Sequence, residues 1–264
     1  MRISLPPSPL EYVDAILHLN PPERRWVFGE IVRRSRLRKA SYCQTVLLSY
    51  PRSGNHLVRF LLESTFLAPS LGASDSEHYV LPRGLHDLPL FLRVKGIKPS
   101  TNQPIVTKRH VLKPADNFKR IVLLVRDPVE AILSHLQGVP DKDFNLRSEA
   151  ETNQYVEVLK SWQNFSPHDR FLIEFESVLA GRREEVRALA KFLGAQGAKL
   201  NLLDTAVRNR DVAKNALARS ANAAKEPYSA QFPSRAKQIR KLLKGSIGYF
   251  DDAGYFPASL FQRG

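Results

Sequence analysis

The sequence predicts an α/β fold of three layers, α/β/α, around a central parallel sheet of about four to five strands. Three observations predict it. Short apolar, β-rich runs recur at 45–50, 105–108, 120–126 and 170–175. The clearest of them, T-V-L-L-S-Y and R-I-V-L-L-V-R, are apolar almost throughout rather than alternating, as strands buried on both faces must be. Segments of helical spacing lie between the runs, which is the pattern of parallel strands joined by crossover helices.

Composition narrows the class. The chain has 264 residues, 43% hydrophobic and 25% charged, which fits one or two globular domains and excludes wholesale disorder. Lys and Arg number 40 against 26 Asp and Glu, a net charge of 40 − 26 = +14. Such a surplus calls for a polyanionic partner: a nucleic acid, a membrane surface or a multiply phosphorylated ligand. The single cysteine, Cys43, excludes an intrachain disulfide framework and any multi-cysteine metal site, and suits a reducing compartment. No apolar run approaches the ~20 residues of a membrane span. Pro6, Pro7 and Pro9, then Glu11 and Asp14, interrupt any signal-peptide core. The expectation is a soluble, cytoplasmic protein.

Residues 1–43 read as a basic helical extension packed on the domain, and 44–264 as one domain. Within the extension, 8–39 reads as two helices split at Pro21-Pro22. The second carries Arg24, Arg25, Arg33, Arg34, Arg36, Arg38 and Lys39 around a stripe of Trp26, Val27 and Ile31. It is either a solvated basic face or a face for peripheral contact with an acidic partner or anionic membrane.

The alternation begins with the strand at 45–50, which Pro51 ends. A turn at 52–55 follows, then a helix over 56–66 with Leu57, Phe60 and Leu61 at helical spacing. The poorly patterned stretch 68–103 precedes the second strand. After the third strand, Pro128 stands in the first turn of a helix, where its missing N–H costs nothing. Further helices are expected at 153–162, at 184–193 with Gly194 closing it, and at 234–244, with a loop from Gly245 onward.

The turn after the first strand reads Tyr50-Pro51-Arg52-Ser53-Gly54-Asn55-His56. A strand–turn–helix junction is an anion site, because the first helical N–H groups lack partners and the dipole favours negative charge. Arg52, the Ser53 hydroxyl, the Asn55 amide and the His56 ring add donors, and Gly54 allows close approach. The turn is P-loop-like in position but is not G-x-x-x-x-G-K-[ST], so nothing holds a nucleotide's metal in the usual way.

Two further clusters lie at strand ends, where open α/β sheets bind ligands. Lys108-Arg109-His110 ends the second strand, and strand alternation puts Lys108 and His110 on one side. A cation beside an imidazole suits a leaving-group stabiliser and a general base, although a lone His is more often a core or surface residue. Arg126-Asp127-Pro128 ends the third strand, with Ser134 eight residues after Arg126. Arg126 and Ser134 are candidates for a second phosphate, while Asp-Pro is also a common helix start. His135 and Gln137 read as structural or surface residues.

In this order and spacing the stretches resemble the sulfotransferases that use 3′-phosphoadenosine 5′-phosphosulfate (PAPS). The family loop is close to Y-P-K-S-G-T-T-W, where this chain has Y-P-R-S-G-N-H-L over 50–57. The family's K-T-H corresponds to Lys108-Arg109-His110, and its R-[DN]-P with a later Ser to Arg126-Asp127-Pro128 and Ser134. Weaker similarity links Y-E-D-L to Phe175-Glu176-Ser177-Val178, F-L-G to Phe192-Leu193-Gly194, and R-K-G-x-x-G to 243–248. The resemblance implies one sulfotransferase domain over 44–264 that binds PAPS and releases PAP, with no metal. It implies that Arg52, Ser53, Gly54, Asn55 and His56 hold the 5′-phosphosulfate and that Leu57 stands at the family's adenine-stacking Trp. It implies that Arg126, Ser134, Lys244 and the Gly245 backbone hold the 3′-phosphate. His110 then removes the acceptor's proton, and Lys108 and Arg52 neutralise the departing oxygen. Arg52 stands for the usual Lys, and Leu243 for an Arg.

The expected acceptor is a small molecule with a hydroxyl or amine. His78, Tyr79, His86, Phe91 and Arg93, with the segment 139–153, are the candidate pocket lining. Two other readings compete. A P-loop-like nucleotide kinase or phosphotransferase would need Mg-dependent ATP binding. A non-catalytic nucleic-acid or membrane-surface binder would need aromatics interleaved with basic residues, whereas these aromatics fall mostly at apolar strand and helix positions. No nucleic-acid partner is therefore expected.

Overall fold

The computed structural model describes residues 43–66, 68, 70, 104–114, 116–208 and 226–251. The basic extension, almost all of 68–103 and the chain after 251 lie outside the described residues. In chain order the elements are β1 (Thr45–Ser49), α1 (Asn55–Phe66), β2 (Thr107–Arg109), β3 (Arg120–Val125), α2 (Pro128–His135) and α3 (Asp141–Gln163). There follow β4 (Arg170–Glu174), α4 (Phe175–Leu179), α5 (Arg183–Phe192), α6 (Ala198–Arg208), α7 (Tyr228–Gln231) and α8 (Pro233–Asp251).

The four strands form one parallel sheet in the order β2-β1-β3-β4. Leu48 of β1 pairs with Arg109 on one side and Leu123 on the other. Successive side chains point to opposite faces, so Leu47, Val122, Leu124 and Ile173 pack against α1, α5 and α6. Val46, Leu48, Ile121, Leu123 and Val125 pack against α2, α3 and α8. Full burial of each such side chain contributes about 1.5–3 kcal/mol, which is why these runs are continuous and apolar. The three-layer α/β/α architecture is the one expected.

Local signals explain several boundaries. Asp127 caps α2 by accepting the Glu130 N–H at 3.0 Å, and Pro128 takes the first helical position. Gly194, with φ of 91°, closes α5, and the Ala195 N–H reaches back to the Ala190 carbonyl at 2.8 Å. Three expectations change. The helix expected at 153–162 starts at Asp141, so much of the segment 139–153 is part of α3. Its early turns bury Phe144 but then Ser148 and Thr152, which gives no apolar stripe to read. The loop expected from Gly245 is a continuation of α8 to Asp251. Finally, the strand expected at 170–175 ends at Glu174, and Phe175 already opens α4.

The order places the site. From β1 the chain leaves to α1 on one face, and from β3 to α2 on the other, although β1 and β3 are neighbours. Their carboxyl ends therefore part around a crevice, the position at which sheets of this kind bind ligands. Among the described residues, no helix is long and apolar enough to cross a membrane.

Candidate active site

The turn from β1 into α1 carries two residues in the left-handed region, Arg52 (φ 66°) and Gly54 (φ 85°). For glycine this costs little, whereas for Arg52 it costs about 1–2 kcal/mol. The neighbouring strand end holds the conformation: Arg126 Nη1 donates to the Arg52 carbonyl at 2.9 Å. Phe175 closes the turn from beneath. A Cβ built on Gly54 would stand 2.1 Å from its ring, so no side chain fits there. The Gly54 carbonyl accepts from the Leu57 N–H at 3.1 Å and starts α1.

Ser53 and Asn55 are buried in this turn. Among the described residues, Ser53 Oγ and Asn55 Oδ1 have no hydrogen-bond partner. A buried hydroxyl left in that state costs about 1–3 kcal/mol, and an anion oxygen at the head of α1 would accept from it. The Asn55 amide is turned away, donating from Nδ2 to Ser49 Oγ at 2.6 Å. Arg52 is exposed and His56 half-buried at the rim.

Beside this turn, at the end of β2, His110 and Lys108 touch. Lys108 Nζ lies 2.5 Å from His110 Nε2, and His110 Nδ1 lies 2.7 Å from the Ser49 carbonyl. A carbonyl only accepts, so Nδ1 carries the proton and Nε2 presents a lone pair toward the ammonium. The arrangement follows from period-two geometry on β2 and from the parallel register that brings Ser49 alongside.

Arg126, at the end of β3, completes the group. Its guanidinium lies over the Phe175 ring at 5.5 Å and 4.0 Å from Glu130 Oε2. Its backbone is fixed from α3, where the buried Tyr155 hydroxyl donates to the Arg126 carbonyl at 2.7 Å. Next to it, the Asp127 N–H donates to Glu176 Oε1 at 3.0 Å. Burial pushes the Asp127 carboxyl upward, against the Glu130 N–H that favours its charge, with Glu130 and Glu176 adding repulsion. Its folded pKa is raised, so its contribution to stability is present below the ordinary carboxylate pKa and lost as pH rises through the folded one. Asp127→Asn keeps a capping side chain without the charge. It should leave the melting temperature at neutral pH equal or higher, while Asp127→Ala should cost about 1 kcal/mol in thermal denaturation.

On the α2 side of Arg52 a second cluster stands. The Tyr50 hydroxyl donates to Glu151 Oε2 at 2.6 Å, and His135 Nε2 lies 3.6 Å from Glu151 Oε1. The Tyr50 and His135 rings meet edge to face, 5.8 Å apart. Burial lowers the His135 pKa; Glu151 opposes the shift and the charge of Arg52 adds to it.

The structure thus brings together Arg52, Ser53, Gly54, Asn55, His56, Lys108, His110 and Arg126 at one sheet edge. Ser134 is 7% exposed on α2. Leu57 is turned into the core, as is Leu243, which explains an apolar residue at each. Lys244 is exposed on α8, and Gly245 lies inside that helix, where backbone N–H groups are taken by the helix itself. A turn-bound Gly245 donor is therefore not formed. Phe175 and Glu176 fall in the stretch matched to Y-E-D-L, where sequence reasoning assigns them no role. It missed the supports Tyr155 and Glu151, and neither had a local signal.

No protein-family model and no curated protein matches the sequence. Solved structures do match in fold. Mouse sulfotransferase SULT7A1 complexed with PAP superposes with a TM-score of 0.50 at 13% identity, over 81% of this chain and 88% of that one. Retinol dehydratase in complex with androsterone and the inactive cofactor PAP gives 0.50 at 14% identity, over 87% and 94%. The chain has the sulfotransferase fold.

Proposed function

We propose that the chain is a sulfotransferase that takes a sulfuryl group from PAPS and passes it to a hydroxyl or amine on a small acceptor. One observation carries the reading. Three stretches far apart in sequence, Arg52–His56, Lys108–His110 and Arg126, meet at the carboxyl edge of the sheet where β1 and β3 part. The fold shared with two PAP-bound proteins supports it. So does the fit of the turn: a buried Ser53 hydroxyl awaits an acceptor, and two left-handed residues open the backbone to one.

When bound, PAPS supplies the sulfuryl group and a phosphate as leaving group. The rest is done by the chain. The backbone N–H groups of the turn and the Ser53 hydroxyl hold the anionic 5′ end. Arg52 and Lys108 bring fixed positive charge to the side where negative charge develops, an effect worth several kcal/mol in rate. His110 Nε2 receives the acceptor's proton once Lys108 Nζ turns from it toward the anion. Its Nδ1–H stays on the Ser49 carbonyl and holds the ring in place. Arg126 and Ser134 take the 3′-phosphate, and the exposed Lys244 is the further cation available to it.

Calorimetric titration with PAP, beside ATP with Mg²⁺, tests the reading. Micromolar PAP binding with no metal requirement supports it. Binding of ATP with Mg²⁺ instead would indicate a kinase, and binding of neither would remove the nucleotide from the account. Arg126→Ala should weaken PAP binding by about 1.5–3 kcal/mol, the range for a charged hydrogen bond. Because Arg126 also clamps the Arg52 carbonyl, the variant is melted alongside the wild type. Unchanged affinity takes Arg126 out of the site.

A further inference from the structure

Asn55 stands in the anion turn, yet its side-chain amide does not face outward. It reaches back to Ser49, which is 0% exposed at the end of β1. The carbonyl of the same Ser49 holds His110 Nδ1. Two hydrogen bonds therefore meet on the last residue of β1, one from the first residue of α1 to its side-chain Oγ and one from the imidazole beyond β2 to its carbonyl. Each link is short: 2.6 Å from Asn55 to Ser49 and 2.7 Å from Ser49 to His110.

We infer that Asn55 is a positioning residue for His110, acting through Ser49. The Ser49 carbonyl and the Lys108 ammonium both favour the Nδ1–H form of the ring, and the carbonyl does so only while the end of β1 keeps its orientation. That end keeps its pairing with Leu124 of β3, but on the β2 side no residue after Arg109 pairs with it, and Tyr50, Pro51 and the left-handed Arg52 follow at once. The Asn55–Ser49 bond ties it to the rigid start of α1. The inference rests on the reading of His110 as the base, and it gives that reading a structural cause: the proton stays on Nδ1, leaving the Nε2 lone pair on the side of Lys108. It also separates two jobs within one turn. The Ser53 hydroxyl, buried without a partner, is available to the anion, and the Asn55 side chain serves the base.

The test uses the full-length protein with isotope-labelled histidine. Nitrogen chemical shifts of His110 report its tautomer without cofactor or acceptor. In the wild type the Nδ1–H form should dominate. Asn55→Ala and Ser49→Ala remove the same bond from its two ends, so each should raise the Nε2–H population to a similar extent. The double variant should go no further than either, as two halves of one interaction require. PAP affinity should change by less than about threefold in Ser49→Ala, because Ser49 does not line the anion turn. Asn55→Ser, which keeps a short polar group, serves if Asn55→Ala fails to fold. An unchanged tautomer in both single variants would overturn the inference. So would a loss of PAP affinity of tenfold or more with the tautomer unmoved, which would make Asn55 a ligand contact only. Failure of the wild type to bind PAP would defeat the sulfotransferase reading and leave the tautomer result standing on its own.

Discussion

His110→Ala should lower kcat of the proposed sulfuryl transfer by about 10²-fold or more, while PAP binding by calorimetry stays near that of the wild type. The size is that of a lost general base. The split between turnover and binding follows from position: His110 stands on the β2 side of the site, held by Ser49 and Lys108, whereas the buried Ser53 hydroxyl that would take the anion belongs to the turn after β1. A melting curve accompanies the assay, since the variant leaves the Ser49 carbonyl without the ring. Full activity in the variant would place the base elsewhere, with His56 the next imidazole to replace.

Gly54→Ala should cost PAP affinity by about 10²-fold or more. Two effects act together. A residue with a side chain at φ of 85° is strained by about 1–2 kcal/mol. The added Cβ would also lie 2.1 Å and 2.2 Å from two atoms of the Phe175 ring. The ring cannot withdraw freely, because the Arg126 guanidinium lies against it. The turn must move instead, and displacement of about 1 Å at a binding group is enough for losses of that order. Gly54→Ala combined with Phe175→Ala removes the overlap and keeps the backbone strain, so part of the affinity should return. Wild-type affinity in Gly54→Ala alone would mean that the anion binds somewhere other than this turn.

How much of this was legible depends on the range of the interaction. The parallel strands announced themselves, because burial on both faces leaves an uninterrupted apolar run such as 121–125. The pairing of Lys108 with His110 was legible for the same local reason, the alternation of side chains along a strand. The first turns of α3 were not. Their buried positions after Phe144 are Ser148 and Thr152, while the apolar Leu146 is 76% exposed, so the local pattern points the wrong way. Long-range supports left no trace either. Tyr50 meets Glu151 across 101 positions, and Tyr155 meets the Arg126 carbonyl across 29, contacts that the sheet creates and no neighbouring residue foretells. The continuation of α8 beyond Gly245 was hidden by that glycine, which reads as a breaker but faces open space in a helix already anchored by Ala236, Ile239 and Leu243.

β2 is three residues long and lies at the edge of the described sheet, paired only with β1. The anion turn and Arg126, by contrast, hang from β1 and β3, the two inner strands. The two halves of the site are thus fastened with unequal strength. Amide hydrogens of Lys108 and Arg109 should exchange with solvent through local opening well before those of 46–48 and 121–124. On heating, the edge should let go first. The protein should then pass through a range of temperature in which the turn after β1 and the end of β3 keep their places while Lys108 and His110 have lost theirs.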